Sequence, residues 1–265
     1  MNYEKWDEIL APYQHAVEEL KVKFKNIRKE FLTKGEYSPI EFVTGRTKKI
    51  SSIISKANRL DTNDIEGKID DIAGIRIMCQ FVEDIYMIVE LIKNRTDMTV
   101  INEKDYITNF KESGYRSYHL IIKYPINSIA GSKEIHCEIQ IRTLAMNFWA
   151  TIEHSLKYKY EHYIPENVAL RLRKAADAAF LLDEEMSEIR EDIMKAQVMY
   201  QVKSVTLRDV LDKIQELYNV GETHKAIKYQ RRLDKIDNER DITEILQLKK
   251  EIDSLLQEYK NKVDD

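Results

Sequence analysis

Trp6, Leu10, Tyr13, Val17, Leu20 and Phe24 recur at three- or four-residue spacing, which predicts an amphipathic helix from about Tyr3 to Phe31. The segment Gly35 to Pro39 ends it. A basic turn, Thr44 to Lys49, then leads into a helix reaching about Leu60, with Ile50, Ile53, Ile54 and Ala57 on its apolar side. Next the period shortens to two. Ile72–Phe81, Met98–Asn102, His119–Tyr124 and Ile135–Arg142 read as strands, with a helix over Asp84–Asn94 between the first two. After Arg142 the helical period returns through Leu156, and beyond Pro165, which suits a first helical turn, a run without breakers continues to about Val202. From Ser204 onward, apolar spacing interrupted at Val220-Gly221 predicts two or three further helices. The fold class that follows is α+β: a mixed β-sheet flanked by helices over residues 1–202, with an all-helical C-terminal extension over 203–265.

Composition supports that picture. The 265 residues include only 7 Gly and 4 Pro, so long helices are expected, and 43% hydrophobic content against 33% charged is enough for a core beneath a charged surface. Lys and Arg total 42 against 46 Asp and Glu, a net charge of -4, which argues against a protein that coats duplex DNA by bulk charge. No apolar run approaches the roughly 20 residues of a membrane span, and the start MNYEKWDEIL lacks an export signal, so a soluble cytoplasmic protein is expected. Cys79 and Cys137 lie in separate apolar runs, which suits core thiols better than a disulfide or zinc site.

Several constellations could carry chemistry. Lys48, Ser52, Lys56 and Arg59 fall at i, i+4, i+8 and i+11, and with Arg46 they form a cationic strip that either faces solvent or grips a polyphosphate. The strand IHCEIQIR puts Ile135, Cys137, Ile139 and Ile141 on one face and His136, Glu138, Gln140 and Arg142 on the other. That is either the wet face of an edge strand or a rigid presentation of a carboxylate. Asp71, at the opening of IAGIRIMCQF, could supply a second carboxylate for a Mg²⁺ ion completed by phosphate oxygens; a salt bridge or cap is the plainer alternative. Lys111 to His119 is a polar turn whose Tyr115 could stack on a purine or plug a core edge. Lys21, Lys25 and Arg28 form a basic stripe on the first helix. Asn147, Glu153 and His154 add polar groups to a later helix without zinc-protease spacing, and His15, His136, His162 and His224 show no ligand spacing.

Four motifs in order, SPIEFVTGR at Ser38–Arg46, DIAGIRI at Asp71–Ile77, ESGYRSYH at Glu112–His119 and EIQIRTLAMNFWATIEHSLKYKY at Glu138–Tyr160, resemble the small alarmone synthetases of the RelA/SpoT synthetase family, in particular the RelQ branch. The resemblance spans about residues 1–200. It implies transfer of the β,γ-diphosphate of ATP to the 3′-hydroxyl of GDP or GTP, giving ppGpp or pppGpp and AMP. By the resemblance, Asp71 and Glu138 hold Mg²⁺ and Glu138 is the base; Arg46 and Arg76 sandwich adenine; Lys48, Ser52, Lys56 and Arg59 hold the ATP phosphates. Tyr115 would stack on guanine, with Lys104, Lys111, His119 and Gln140 around the acceptor nucleotide. The RelQ branch further implies a homotetramer whose cleft takes pppGpp or ppGpp as an allosteric effector at Lys21, Lys25, Arg28, Glu41, Phe42, Thr44 and Asn147, and which binds single-stranded RNA. A catalytically silent nucleotide-sensing or RNA-binding module on the same fold is the alternative; it would not need both carboxylates. No adjacent His-Asp pair occurs, so the hydrolase motif of the long relatives is not expected, and the resemblance does not extend to residues 203–265.

Overall fold

The computed structural model describes residues 3–129, 131–159, 165–236 and 242–263; Tyr160 and His162, named above, lie outside them. The elements run α1 (Tyr3–Thr33), β1 (Phe42–Thr47), α2 (Ile50–Arg59), α3 (Ile65–Lys68), β2 (Ala73–Cys79), α4 (Val82–Lys93), β3 (Thr99–Asp105), β4 (Tyr118–Ser128), β5 (Gly131–Thr143), α5 (Leu144–Lys159), α6 (Glu166–Asn219), α7 (Thr223–Leu233) and α8 (Ile242–Val263). Two compact units result, residues 1–188 and 189–265. No helix end falls near residue 202, because α6 runs unbroken from Glu166 to Asn219.

In the first unit the strands form one mixed sheet in the order β1-β2-β5-β4-β3, with β2 and β5 parallel and the other pairs antiparallel. One expectation changes here, and one of two alternatives for β5 falls away. The stretch Thr44 to Lys49 is not simply a basic turn: Phe42–Thr47 is an edge strand whose alternation sends Val43 inward and Thr44 and Arg46 outward. Gly45 is required in it, since a Cβ there would lie 2.8 Å from Ile75 Cδ1 and 2.9 Å from Val17 Cγ1, where α1 crosses the sheet. Likewise, β5 is no edge strand; it sits between β2 and β4 at the centre of the sheet. Its polar face is therefore flanked on both sides by other strands.

One face of the sheet is continuous apolar surface. Ile75, Ile77, Leu120, Ile122, Cys137, Ile139 and Ile141 share a buried core with Val17, Leu20 and Phe24 of α1 and Ile88 and Ile92 of α4. Burying each such side chain is worth about 1.5–3 kcal/mol, so this layer fixes strand register. Both cysteines are free and buried within it. The second unit has its own core, formed by Val210, Ile214 and Leu217 with Ala226 and Leu233 of α7 and Ile245, Leu248 and Ile252 of α8. Ion pairs Lys213–Asp253, Arg232–Glu251 and Lys249–Asp209 border it.

Thr143, at the end of β5, caps α5 by accepting from Met146 N at 3.0 Å while its hydroxyl donates to Asp183 Oδ2 at 2.6 Å. Asp183 is buried, and burial, aided by nearby Glu83 against the Thr143 hydrogen bond, pushes its pKa from 3.8 up to about 6. The folded chain thus holds this proton more tightly than the unfolded one. Stability from it is full below about pH 3.8 and is lost as the pH rises through about 6, by at most ~3 kcal/mol. Asp183→Asn should accordingly raise the melting temperature at pH 7.5, with the gain shrinking towards pH 5; an equal gain at both pH values would contradict the assignment.

Candidate active site

Strand register assembles the polar face of the sheet row by row. Arg46, Gly74, Glu138 and Ile121 are successive cross-strand partners, and the next row holds Thr44, Arg76, Gln140, His119 and Lys104. Glu138 projects beside a residue with no side chain. A Cβ at Gly74 would meet nothing nearer than Arg46 O at 3.6 Å, so the space there is open. A cavity of about 270 Å³ fills it, lined by Thr44, Gly45, Arg46, Asp71, Gly74, Ile75, Arg76, Glu138 and Gln140. Asp71 enters it from the turn preceding β2.

Asp71 is gripped by two lysines: Lys48 Nζ donates to Oδ2 at 2.7 Å and Lys56 Nζ to Oδ1 at 2.9 Å. Burial pushes its pKa up, but the two ammonium groups outweigh burial and hold the carboxyl below its usual value. Ser52 and Arg59 lie exposed on the same helix, α2. Arg46 is exposed at the cavity rim, while Arg76 is half-buried, its charge disfavoured first by burial and then by neighbouring Arg142 and Arg46. Three guanidiniums this close call for an anionic or aromatic guest.

Glu138 accepts from His119 Nδ1 at 2.9 Å and from Gln140 Nε2 at 2.7 Å. Burial again raises its pKa, and the hydrogen bonds from His119 and Gln140 override that, leaving it below the ordinary glutamate value. With its proton on Nδ1, His119 donates to Glu138 and accepts at Nε2 from the Tyr115 hydroxyl, 2.9 Å away. Arg142 completes the chain, donating at 2.6 Å both to Tyr115 Oη and to Gln140 Oε1. Tyr115 is packed in rather than splayed out: Lys111 lies 5.0 Å and the Arg142 guanidinium 5.1 Å from its ring centroid. Lys104 is exposed on β3.

Mg²⁺ fits this donor set. The ion commonly takes one or two protein carboxylates and completes its shell with phosphate and water oxygens, which matches Asp71 and Glu138 facing one cavity. Among the described residues no cluster of three or more His, Cys, Asp or Glu side chains could cage a metal.

The basic stripe lies on α1, against the face of β1 turned away from the cavity, and its companions are spread over other elements. Lys21 Cδ comes within 3.1 Å of where a Cβ on Gly45 would sit, and Arg28 Nε donates to Ile40 O at 3.0 Å, beside Glu41. Lys25 and Phe42 are exposed, Glu41 accepts from Gln80 Nε2 at 2.9 Å, and Thr44 lines the cavity. Asn147 is half-buried on a separate element, α5. Sequence reasoning did not single out Arg142, Gly74 or Arg116. Arg142 was visible on the polar face of IHCEIQIR, whereas Gly74 acquires meaning only once its partner across the ladder is known.

The profile of the region found in RelA/SpoT proteins matches residues 45–163. GTP pyrophosphokinase YjbM of Bacillus subtilis is 55% identical over 205 residues, covering 77% of this chain and 97% of that protein. The crystal structure of small alarmone synthetase 1 from Bacillus subtilis bound to its product pppGpp superimposes with a TM-score of 0.69 at 56% identity, covering 72% of this chain and 98% of that one. The same synthetase bound to AMPCPP gives 0.65 at 52% identity, with 72% and 99% covered. The chain belongs to the RelA/SpoT family, among its small alarmone synthetases.

The turn that carries Tyr115 is seated closely on α6. Gly114 has φ +86°, and a Cβ there would lie 2.5 Å from Ala176 Cβ. Gly114→Ala should therefore cost ~1–3 kcal/mol in denaturant unfolding; a loss below about 0.5 kcal/mol would show that the turn is not held against the helix.

Proposed function

We propose that this chain is a (p)ppGpp synthetase that transfers the β,γ-diphosphate of ATP to the 3′-hydroxyl of GDP or GTP and releases AMP. The observation that carries the reading is the meeting of Asp71 and Glu138 in one cavity edged by Arg46 and Arg76. It is supported by membership of the family and by the relatives named GTP pyrophosphokinase. A silent binding module would have no use for two ionised carboxylates lining one cavity.

Phosphoryl-type transfer asks mainly for alignment and charge neutralisation. Lys48, Lys56, Ser52 and Arg59 bind the ATP phosphates, and Arg46 and Arg76 clasp the adenine. Incoming phosphates draw Lys48 and Lys56 away from Asp71, exchanging one anionic partner for another. Asp71 and Glu138 would hold Mg²⁺, which when bound would neutralise charge on the transferred group. Glu138, kept ionised by His119 and Gln140, stands as the acceptor for the 3′-hydroxyl proton. Tyr115 and Lys111 receive the guanine, displacing one of the cations now over the tyrosine ring, while Lys104, His119 and Gln140 orient the rest of the acceptor. Guanosine tetra- or pentaphosphate acts as an effector at Lys21, Lys25, Arg28, Glu41, Phe42, Thr44 and Asn147. The approach of Lys21, whose Cδ lies 3.1 Å from where a Cβ on Gly45 would sit, supports this, since Gly45 precedes Arg46 of the ATP site. The likeness to the RelQ branch supports extending the reading to a homotetramer, to single-stranded RNA at the same cleft and to a cytoplasmic setting. No helix among the described residues is long and apolar enough to cross a membrane.

The test is direct: purified chain, γ-labelled ATP, Mg²⁺ and GDP or GTP should give a labelled guanosine product and AMP. A folded sample that labels neither acceptor overturns the reading. Glu138→Gln and Asp71→Asn should each lower kcat at least ~100-fold with unchanged far-ultraviolet circular dichroism. Tyr115→Ala should instead raise the acceptor KM about tenfold, the weight of one base–aromatic stack.

A further inference from the structure

We propose that Arg116 is the positioning residue of the acceptor loop: by locking residues 111–117 onto α6 it holds Tyr115 and Lys111 where the guanosine nucleotide docks. This deepens the functional reading above and rests on it for the identity of the nucleotide.

Arg116 follows Tyr115 in the chain but points the other way. Tyr115 turns towards His119 and Arg142, whereas Arg116 is 7% exposed and lies between two phenyl rings. Its guanidinium carbon is 4.4 Å from the ring centroid of Phe110 and 4.4 Å from that of Phe180. Phe110 precedes the loop, and Phe180 is on α6. One terminal nitrogen donates to Gly114 O at 3.3 Å and lies 3.5 Å from Ala176 O; the other reaches Asp177 Oδ1 at 3.1 Å. A single side chain thereby joins the loop backbone to the helix through two ring faces, a carboxylate and two carbonyls.

Stability does not account for an arginine here. Its Nε is buried with no acceptor among the described residues, and the carboxylate it pairs with is 48% exposed. An ion pair of that kind gives little net stabilisation after desolvation, and an apolar side chain of similar length would fill the slot about as well. What the apolar chain could not do is hold the Gly114 carbonyl and the α6 groups at once. Because Tyr115 is the next residue, any drift of that backbone moves the ring out of its contacts with His119 and Arg142. The helix itself does not rely on Arg116, since Trp149 Nε1 also ties it to α5 by donating to Leu172 O at 2.9 Å.

Arg116→Met tests the assignment. The variant should melt within a few degrees of wild type, raise the KM for GDP or GTP about tenfold or more, and leave the KM for ATP and the kcat at saturating acceptor within about threefold. In substrate-free protein, amide exchange over residues 111–117 should speed up about tenfold or more while β4 and residues 166–180 keep their protection. The exchange measurement needs no turnover, so it fails separately from the functional reading. Unchanged exchange in the loop, an ATP KM that rises as much as the acceptor KM, or α6 losing protection together with the loop would each overturn the proposal. If Arg116→Met does not fold, Phe180→Leu, which removes one ring of the sandwich, decides by the same readouts with a smaller shift, and Arg116→Lys should restore little of the acceptor affinity because an ammonium cannot span both carbonyls and Asp177.

Discussion

The parallel pairing of β2 with β5 is the constraint on which the site depends. It sets Gly74 opposite Glu138 and Arg76 opposite Gln140, residues more than sixty positions apart in the chain. A slip of one residue would turn Glu138 into the apolar core and bring Ile139 to the cavity, exchanging every side chain on both faces. The core prevents this, because Ile75, Ile77, Ile139 and Ile141 all become buried only in the observed register. Packing on one face thus fixes the chemistry on the other.

Charge is distributed with the same economy. The chain as a whole is acidic, yet Arg46, Lys48, Lys56, Arg76 and Arg142 gather around the two carboxylates of the cavity and its border. Each carboxylate is held ionised by hydrogen-bonded partners despite being withdrawn from water: lysines on Asp71, His119 and Gln140 on Glu138. The partners differ in kind, and so do the consequences. Lysines on long stems can follow a phosphate, whereas the His119–Glu138–Gln140 set sits on paired strands and stays put.

Much of this was legible in the sequence where local pattern and tertiary role coincide. The alternation in IHCEIQIR gives the two faces of β5, and the helix over residues 50–59 announces itself by Ile50, Ile53 and Ala57. Legibility fails where the deciding contact is distant. The stretch Thr44 to Lys49 reads as a basic turn because Gly45, Arg46 and Thr47 break the apolar alternation; only the crossing of α1 over Gly45 explains a glycine within a strand. The central place of β5 depends on neighbours drawn from 73–79 and 118–128, so its wet face could be taken for an edge. The apolar spacing from Ser204 onward predicts a new helix there, but serine does not stop a helix and α6 continues to Asn219. Arg116 sits in the polar turn over residues 111–119, and its two aromatic covers lie six residues before it and on a helix far along the chain.

The central claim is that Asp71 and Glu138 share one metal-assisted nucleotide site. Crystals of this chain grown with AMPCPP and Mn²⁺ in place of Mg²⁺ test it most directly through the anomalous signal of manganese. The account predicts a peak within bonding distance of a carboxylate oxygen from each of the two residues, beside the bound nucleotide. A nucleotide bound elsewhere, or a peak touching neither carboxylate, would contradict it.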